Sequence, residues 1–190
     1  MGVFGVSINA AGTRVAFSSD RDLTPGNPGN PDGNREIFLF DTTTSSFTQI
    51  TNTIGGETFS DSINATGTRV VFRSTRDLAP GKPGNADGNQ EIFIFDTTTS
   101  RITQITNTIG GDGAFGPSIN AAGTRIAFVS DRDLTPGSPG NGDRNYEIFL
   151  ASSVAGPTPT IPTMGEWGMT LLGLLLAGGM ATAMRRRQAS

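Results

Sequence analysis

The chain has 190 residues, room for one domain and a tail, with 16% charged residues, 26 glycines and 11 prolines, a balance that favours many turns. It contains no cysteine and no histidine, which excludes disulfides, thiolate metal sites, Ser-His-Asp triads, HExxH zinc sites and imidazole acid–base chemistry. Up to Thr160 there are 11 basic and 16 acidic residues, an acidic body that argues against nucleic acid as a partner, because phosphate binding needs clustered Lys and Arg.

The opening stretch, MGVFGVSINAAG, lacks a basic n-region and a long apolar h-region, so it does not read as a signal peptide. From there the chain repeats itself. SINAAGTRVAF begins at Ser7, SINATGTRVVF at Ser62 and SINAAGTRIAF at Ser118, offsets of 55 and 56 residues. REIFLFD, QEIFIFD and YEIFLAS keep the same phase, led by Glu36, Glu91 and Glu147. A fixed period of this size means stacked supersecondary units.

Each repeat predicts four short strands. The first surrounds Phe4, Phe59 or Phe115, and the AAGT or ATGT stretch after it is a turn that uses glycine's access to positive φ. The second is TRVAFSS and its copies, with Val15 and Phe17 on one face. The third, EIFLFD, is apolar on both faces and predicts a strand sandwiched between layers. DTTTSS turns the chain into a fourth strand, FTQIT or ITQIT. Four-stranded sheets repeated radially, each packed on its neighbours, describe a β-propeller. The repeats divide residues 1–151 into segments at about 1–55, 56–111 and 112–151. The expected class is therefore all-β: a partial propeller of three four-stranded blades, the last incomplete, followed by one C-terminal transmembrane helix.

SINAAGTRIAFVSDRD and NYEIFLA together resemble the WD40-like (PD40) repeat of TolB-type propellers over about residues 1–151. The resemblance implies the fold and no particular function. Asn9, Asn64 and Asn120 lie near the family's Pro-Asp turn, which here reads Ile-Asn. Each copy also carries an insertion between its second and third strands. The third copy lacks a fourth strand, and the first begins abruptly at its first strand. Three blades leave exposed sheet edges, and TolB-type propellers usually have six. These features, with the missing signal peptide, lead to the expectation that the chain is the C-terminal half of a longer protein. Dimerisation of half-propellers is the alternative.

The inserted loops are the candidates for chemistry, since in a propeller they emerge on one rim. Asn30, Asp32 and Asn34 alternate in the first, and Asn85, Asp87 and Asn89 in the second. Alternating oxygens can ligate Ca²⁺, but the spacing is not that of an EF-hand, and Arg144 replaces the glycine in the third loop. Asx and Gly turns explain the same residues, so no metal is expected. Glu36, Glu91 and Glu147 recur with Arg21, Arg76 and Arg132. A residue repeated in every blade belongs to the blade, and an Arg–Glu pair tying the base of each inserted loop is the expected role. No catalytic residue and no cofactor are expected.

Residues 152–160 read as a Pro/Thr/Ser linker. Residues 161–190 form a separate unit. Trp167 to Met184 is apolar and about 27 Å long as a helix, close to the ~30 Å bilayer core. Trp167 would sit at the interface and Arg185, Arg186 and Arg187 on the cytoplasmic side. IPTMGEWG closely resembles the IPTL-CTERM (IPTLxxWG) sorting signal: Ile161, Pro162, Thr163, Trp167 and Gly168 match, and Met164 replaces the usual leucine. The resemblance implies recognition by an exosortase-type membrane transpeptidase in a Gram-negative bacterium. Before processing the chain would cross the inner membrane once, through its C-terminal helix, with its N-terminus outside; afterwards it would be released or attached at the surface. The expected activity is binding, with envelope proteins or extracellular polysaccharide as partners at the loop rim. A fragment of a larger envelope enzyme such as a peptidase, or a permanent single-pass anchor, is the alternative.

Overall fold

The computed structural model describes residues 2–26, 28–79, 84–135 and 140–152. The linker, the sorting motif and the membrane span expected at 167–184 lie outside these residues. Among the described residues no helix is long and apolar enough to cross a membrane.

Eleven strands form three antiparallel sheets with consecutive strand order. The first blade holds β1 (Val3–Ile8), β2 (Arg14–Ser19), β3 (Glu36–Asp41) and β4 (Ser46–Gln49). The second holds β5 (Thr58–Ile63), β6 (Arg69–Ser74), β7 (Glu91–Asp96) and β8 (Arg101–Gln104). The third holds β9 (Ala114–Ile119), β10 (Arg125–Ser130) and β11 (Glu147–Ser152). Among the described residues the third blade has three strands, as its missing ITQIT segment leads one to expect.

Local chemistry fixes the hairpins. The Asn9 side-chain oxygen accepts the Arg14 amide at 2.9 Å, while the Gly12 amide donates to the Asn9 carbonyl with φ +69° at Gly12. Asn64 and Asn120 repeat this turn through the amides of Arg69 and Arg125. An asparagine oxygen thus does the work of the family's aspartate, because only an acceptor is needed. At the next turn Asp41 accepts the amides of Thr43 and Thr44, and Asp96 those of Thr98 and Thr99. The Thr43 and Thr98 side chains lead the contacts that hold these carboxyls below the usual range.

Neighbouring blades are joined by two apolar layers. Ala16, Ile37 and Leu39 of the first blade pack on Val70, Phe72 and Phe93 of the second. Val71, Ile92 and Ile94, on the other face of the second blade, pack on Ile126 and Phe128 of the third. Successive residues of β7 therefore enter different layers, which is why its sequence is apolar without alternation. The first strands lie side by side along the blade stack, β1 against β5 and β5 against β9. Each first strand is bulged where it pairs with its second strand.

Candidate functional site

The repeated glutamates do not pair with the repeated arginines as expected. Glu36 and Glu91 are fully buried. Glu36 Oε1 accepts the Thr53 amide and hydroxyl, both at 2.6 Å, and its Oε2 accepts the Thr51 hydroxyl. Glu91 makes the same bonds to Thr108 and Thr106. The same threonines serve β3 and β7: Thr51 accepts the Ile37 amide and Thr106 the Ile92 amide, each at 2.8 Å. A buried carboxylate needs convergent short donors, and the Thr-x-Thr after the fourth strand supplies them where a long arginine would have to be desolvated too. Burial nevertheless pushes the Glu91 carboxyl up, against the pull of its threonines. Glu147, in the blade without a described fourth strand, is exposed.

The arginines have a different task. The amides of Arg21, Arg76 and Arg132 all donate to the serine closing the second strand, Ser19, Ser74 and Ser130. The Arg76 stem lies over Gly56 and the Arg132 guanidinium over Gly111, so close that an added Cβ would stand 2.2 Å and 2.1 Å away. Arg132 also grips Asp131 with two bonds of 3.0 and 2.7 Å. These residues brace the interblade turns.

The asparagines of the inserted loops brace the loops, as turn chemistry predicts. Asn30, Asn85 and Asn141 donate to the carbonyls of Asn34, Asn89 and Asn145, and the Asp32 and Asp87 carboxylates accept the amides of Gly55 and Gly110. Arg144 holds φ +58°. The side-chain oxygens of Asn30, Asn34, Asn85, Asn89 and Asn141 are buried and receive no hydrogen bond from protein. Among the described residues no group of three or more acidic side chains is placed to hold a metal.

The side chains that could contact a ligand are those that break the repeat. Arg73 and Asp61 stand in the second blade where the first has Ser18 and Val6 and the third Val129 and Pro117. They pair at 3.8 Å beside the Phe59 ring, whose centroid is 4.5 Å from the Arg73 guanidinium. Arg73 also donates to Gln90 at 3.2 Å. Arg35 lies over both Phe4, at 4.0 Å, and Phe59, at 4.9 Å, so cations and rings alternate across two blades. Burial pushes the Asp61 carboxyl up to about 7, with the Arg73 charge pulling against it.

From Arg73 a groove runs between the second and third blades, lined also by Asn89, Gln90, Asp112, Phe115 and Tyr146. Tyr146 donates to Asp112 at 2.6 Å and meets Phe115 edge to face at 5.2 Å, yet stays 59% exposed. The hydrogen bond to Asp112, and then its charge, push the Tyr146 hydroxyl up. Asn89 is the one candidate from the sequence that reaches this groove. The others in the sequence had a visible signal: each departs from what its counterparts carry in the other repeats.

Three four-stranded or near four-stranded sheets stacked through apolar faces are propeller blades, and the known structures agree. The fold is similar to that of the tricorn protease, with a TM-score of 0.55 and 19% identity over 82% of this chain and 14% of that one. It is similar also to a putative TolB from Agrobacterium tumefaciens, with a TM-score of 0.53 and 16% identity over 84% of this chain and 49% of that one. The chain thus spans about half the length of the TolB chain and a small part of the protease. No curated protein matches the sequence as a whole. Residues 160–187 match the family model of the IPTL-CTERM motif. The chain is a TolB-like β-propeller protein that carries an IPTL-CTERM sorting signal at its C-terminal end. That signal points to an exported protein of the cell envelope, handled by an exosortase-type enzyme in the membrane.

Proposed function

We propose that the chain is a surface-directed binding module, not an enzyme, which is cut at its sorting signal by an exosortase-type transpeptidase and then displayed or released. The observation that carries this reading is the match at 160–187 behind a set of propeller blades. Ile161, Pro162, Thr163, Met164, Trp167 and Gly168 form the recognition stretch, and Arg185, Arg186 and Arg187 the basic stop. Extracellular polysaccharide is the ligand class favoured by the groove. An exposed tyrosine edge offers a flat face for a sugar ring, while Asn89, Gln90 and Arg73 offer amide and guanidinium donors to hydroxyls and acidic substituents. The test is the intact mass of the protein from its own cells, with and without the transpeptidase gene. The reading expects a C-terminus near Thr163 in the first case and the full C-terminus in the second. A full C-terminus in both would overturn it.

A further inference from the structure

The two outer faces of the described blades repeat, position by position, the two sides of the interfaces inside the stack. From first blade to second, Ala16, Ile37 and Leu39 meet Ile63, Val70, Phe72, Phe93 and Phe95. From second to third, Val71, Ile92 and Ile94 meet Ile119, Ile126, Phe128 and Ala151. The in-phase counterparts of the leading side on the third blade are Ala127, Ile148 and Leu150. The counterparts of the receiving side on the first blade are Ile8, Val15, Phe17, Phe38 and Phe40. Ile148 is 80% exposed, Leu150 48% and Ile8 58%, although each sits where its counterparts are buried.

The polar contacts follow the same rule. Arg14 donates to the Gly67 carbonyl at 3.0 Å, and Arg69 to the Gly123 carbonyl at 2.7 Å. The Ala10 amide donates to Ala65 and the Ala65 amide to Ala121, both at 3.2 Å. Ser7 and Ser62 accept the amides of Ile63 and Ile119. One further step along the stack would take Arg125, the Ala121 amide and the Ser118 hydroxyl onto the Gly12 carbonyl, the Ala10 carbonyl and the Ile8 amide of a first blade. The geometry leaves room for it. A Cβ at Gly67 would meet Arg14 at 2.8 Å and one at Gly123 would meet Asn64 at 2.8 Å, whereas one at Gly12 meets nothing nearer than Ile8 at 4.0 Å.

We infer that the third blade of one copy docks on the first blade of a second copy, and the reverse, closing two chains into a six-bladed ring. A head-to-tail contact either closes or runs on into a filament. Closed propellers hold about four to eight blades, a range that two copies of three blades meet and three copies exceed. Both halves of the contact are present on one chain, already complementary to each other, so no foreign partner is required to cover them.

The experiment is native mass spectrometry of the full chain in mild detergent, with two variants on exposed side chains, Ile148→Asp and Ile8→Asp. The wild type should weigh twice the 19.8 kDa of one chain. Each variant alone should be monomeric, its dimer weakened on the order of a hundredfold or more by a buried unpaired charge. An equimolar mixture of the two variants should form a dimer again, because the unaltered first blade of one fits the unaltered third blade of the other. Circular dichroism of both variants checks that they fold, and Arg125→Glu serves as a replacement if one does not. A monomeric wild type, a trimer or larger species, or a dimer that survives both substitutions would overturn the inference.

Discussion

A carboxylate in an apolar blade is tolerated only when every oxygen is served. Glu91 is served by Thr106 and Thr108, so Thr108→Val removes a donor while keeping the volume. The expected loss is about 1–3 kcal/mol, read as a lower urea midpoint. The same truncation of a carboxylate at the exposed Glu147 should cost less than about 0.5 kcal/mol. Equal losses at the two sites would show that the threonine clasp is not what stabilises the buried glutamate.

Asp61 supplies a pH dependence of opposite sense to that of an ordinary surface aspartate. Its folded carboxyl is raised from 3.8 to about 7 by burial. The stability it contributes is fully present below the unfolded value and is lost as pH rises through about 7, up to about 4 kcal/mol in all. Chemical denaturation of the wild type between pH 4 and pH 8 should therefore show a decline that Asp61→Asn flattens. A variant that keeps the full decline would place its origin elsewhere.

At the scale of the strand, the bulges decide how closely first strands can approach. Gly5 holds φ +55°, and an added Cβ would stand 2.2 Å from the Ser60 carbonyl of the adjoining blade. Gly5→Ala should destabilise by about 2 kcal/mol or more, from the left-handed backbone and the clash together. Gly55 shares the positive φ but has open space around it, so Gly55→Ala should cost less, and thermal melts of the pair separate the two terms. In the interblade layer Phe93 is fully buried, stacked on Phe72 at 5.8 Å, and Phe93→Ala should cost about 3–5 kcal/mol.

The strands themselves were legible because the repeat is redundant. Three in-phase copies of a Phe strand, a TRVAF strand and an EIF strand, separated by Gly and Asn turns, leave little freedom in where each element starts. The apolar run of EIFLFD announced a strand with two buried faces, and β3 and β7 have them. The role of Glu36 and Glu91 was not legible. Their partners lie in a different strand-end segment, 15 and 17 residues on, and only the hairpin brings the Thr-x-Thr beneath the carboxylate.

For the whole molecule, display depends on the C-terminal signal and binding on the groove. Trp167→Ala should leave the blades folded but reduce the processed form in cell fractions at least tenfold (an order-of-magnitude expectation for loss of a hot-spot aromatic). Tyr146→Ala and Arg73→Ala should each weaken polysaccharide binding by about tenfold, an energy of about 1.4 kcal/mol, as measured by glycan array or calorimetry. Unchanged binding in both would remove the groove from the proposal while leaving the export reading intact.

What the sequence by itself determined is everything that repeats and everything that is contiguous. Period, strand order, turns and the IPTMGEWG signal all lie in short windows, where spacing and composition carry the physics. Tertiary structure decided what depends on neighbours distant in the chain. It gave the recurring glutamates to threonines and the recurring arginines to glycine turns. It stacked Arg35 between rings of two blades, and it gathered Arg73, Asp112 and Tyr146 around one groove. It also showed that the outer faces of the first and third blades match each other. Burial and complementarity are properties of surfaces brought together, and a linear pattern states which residues are apolar without stating which faces remain to be covered.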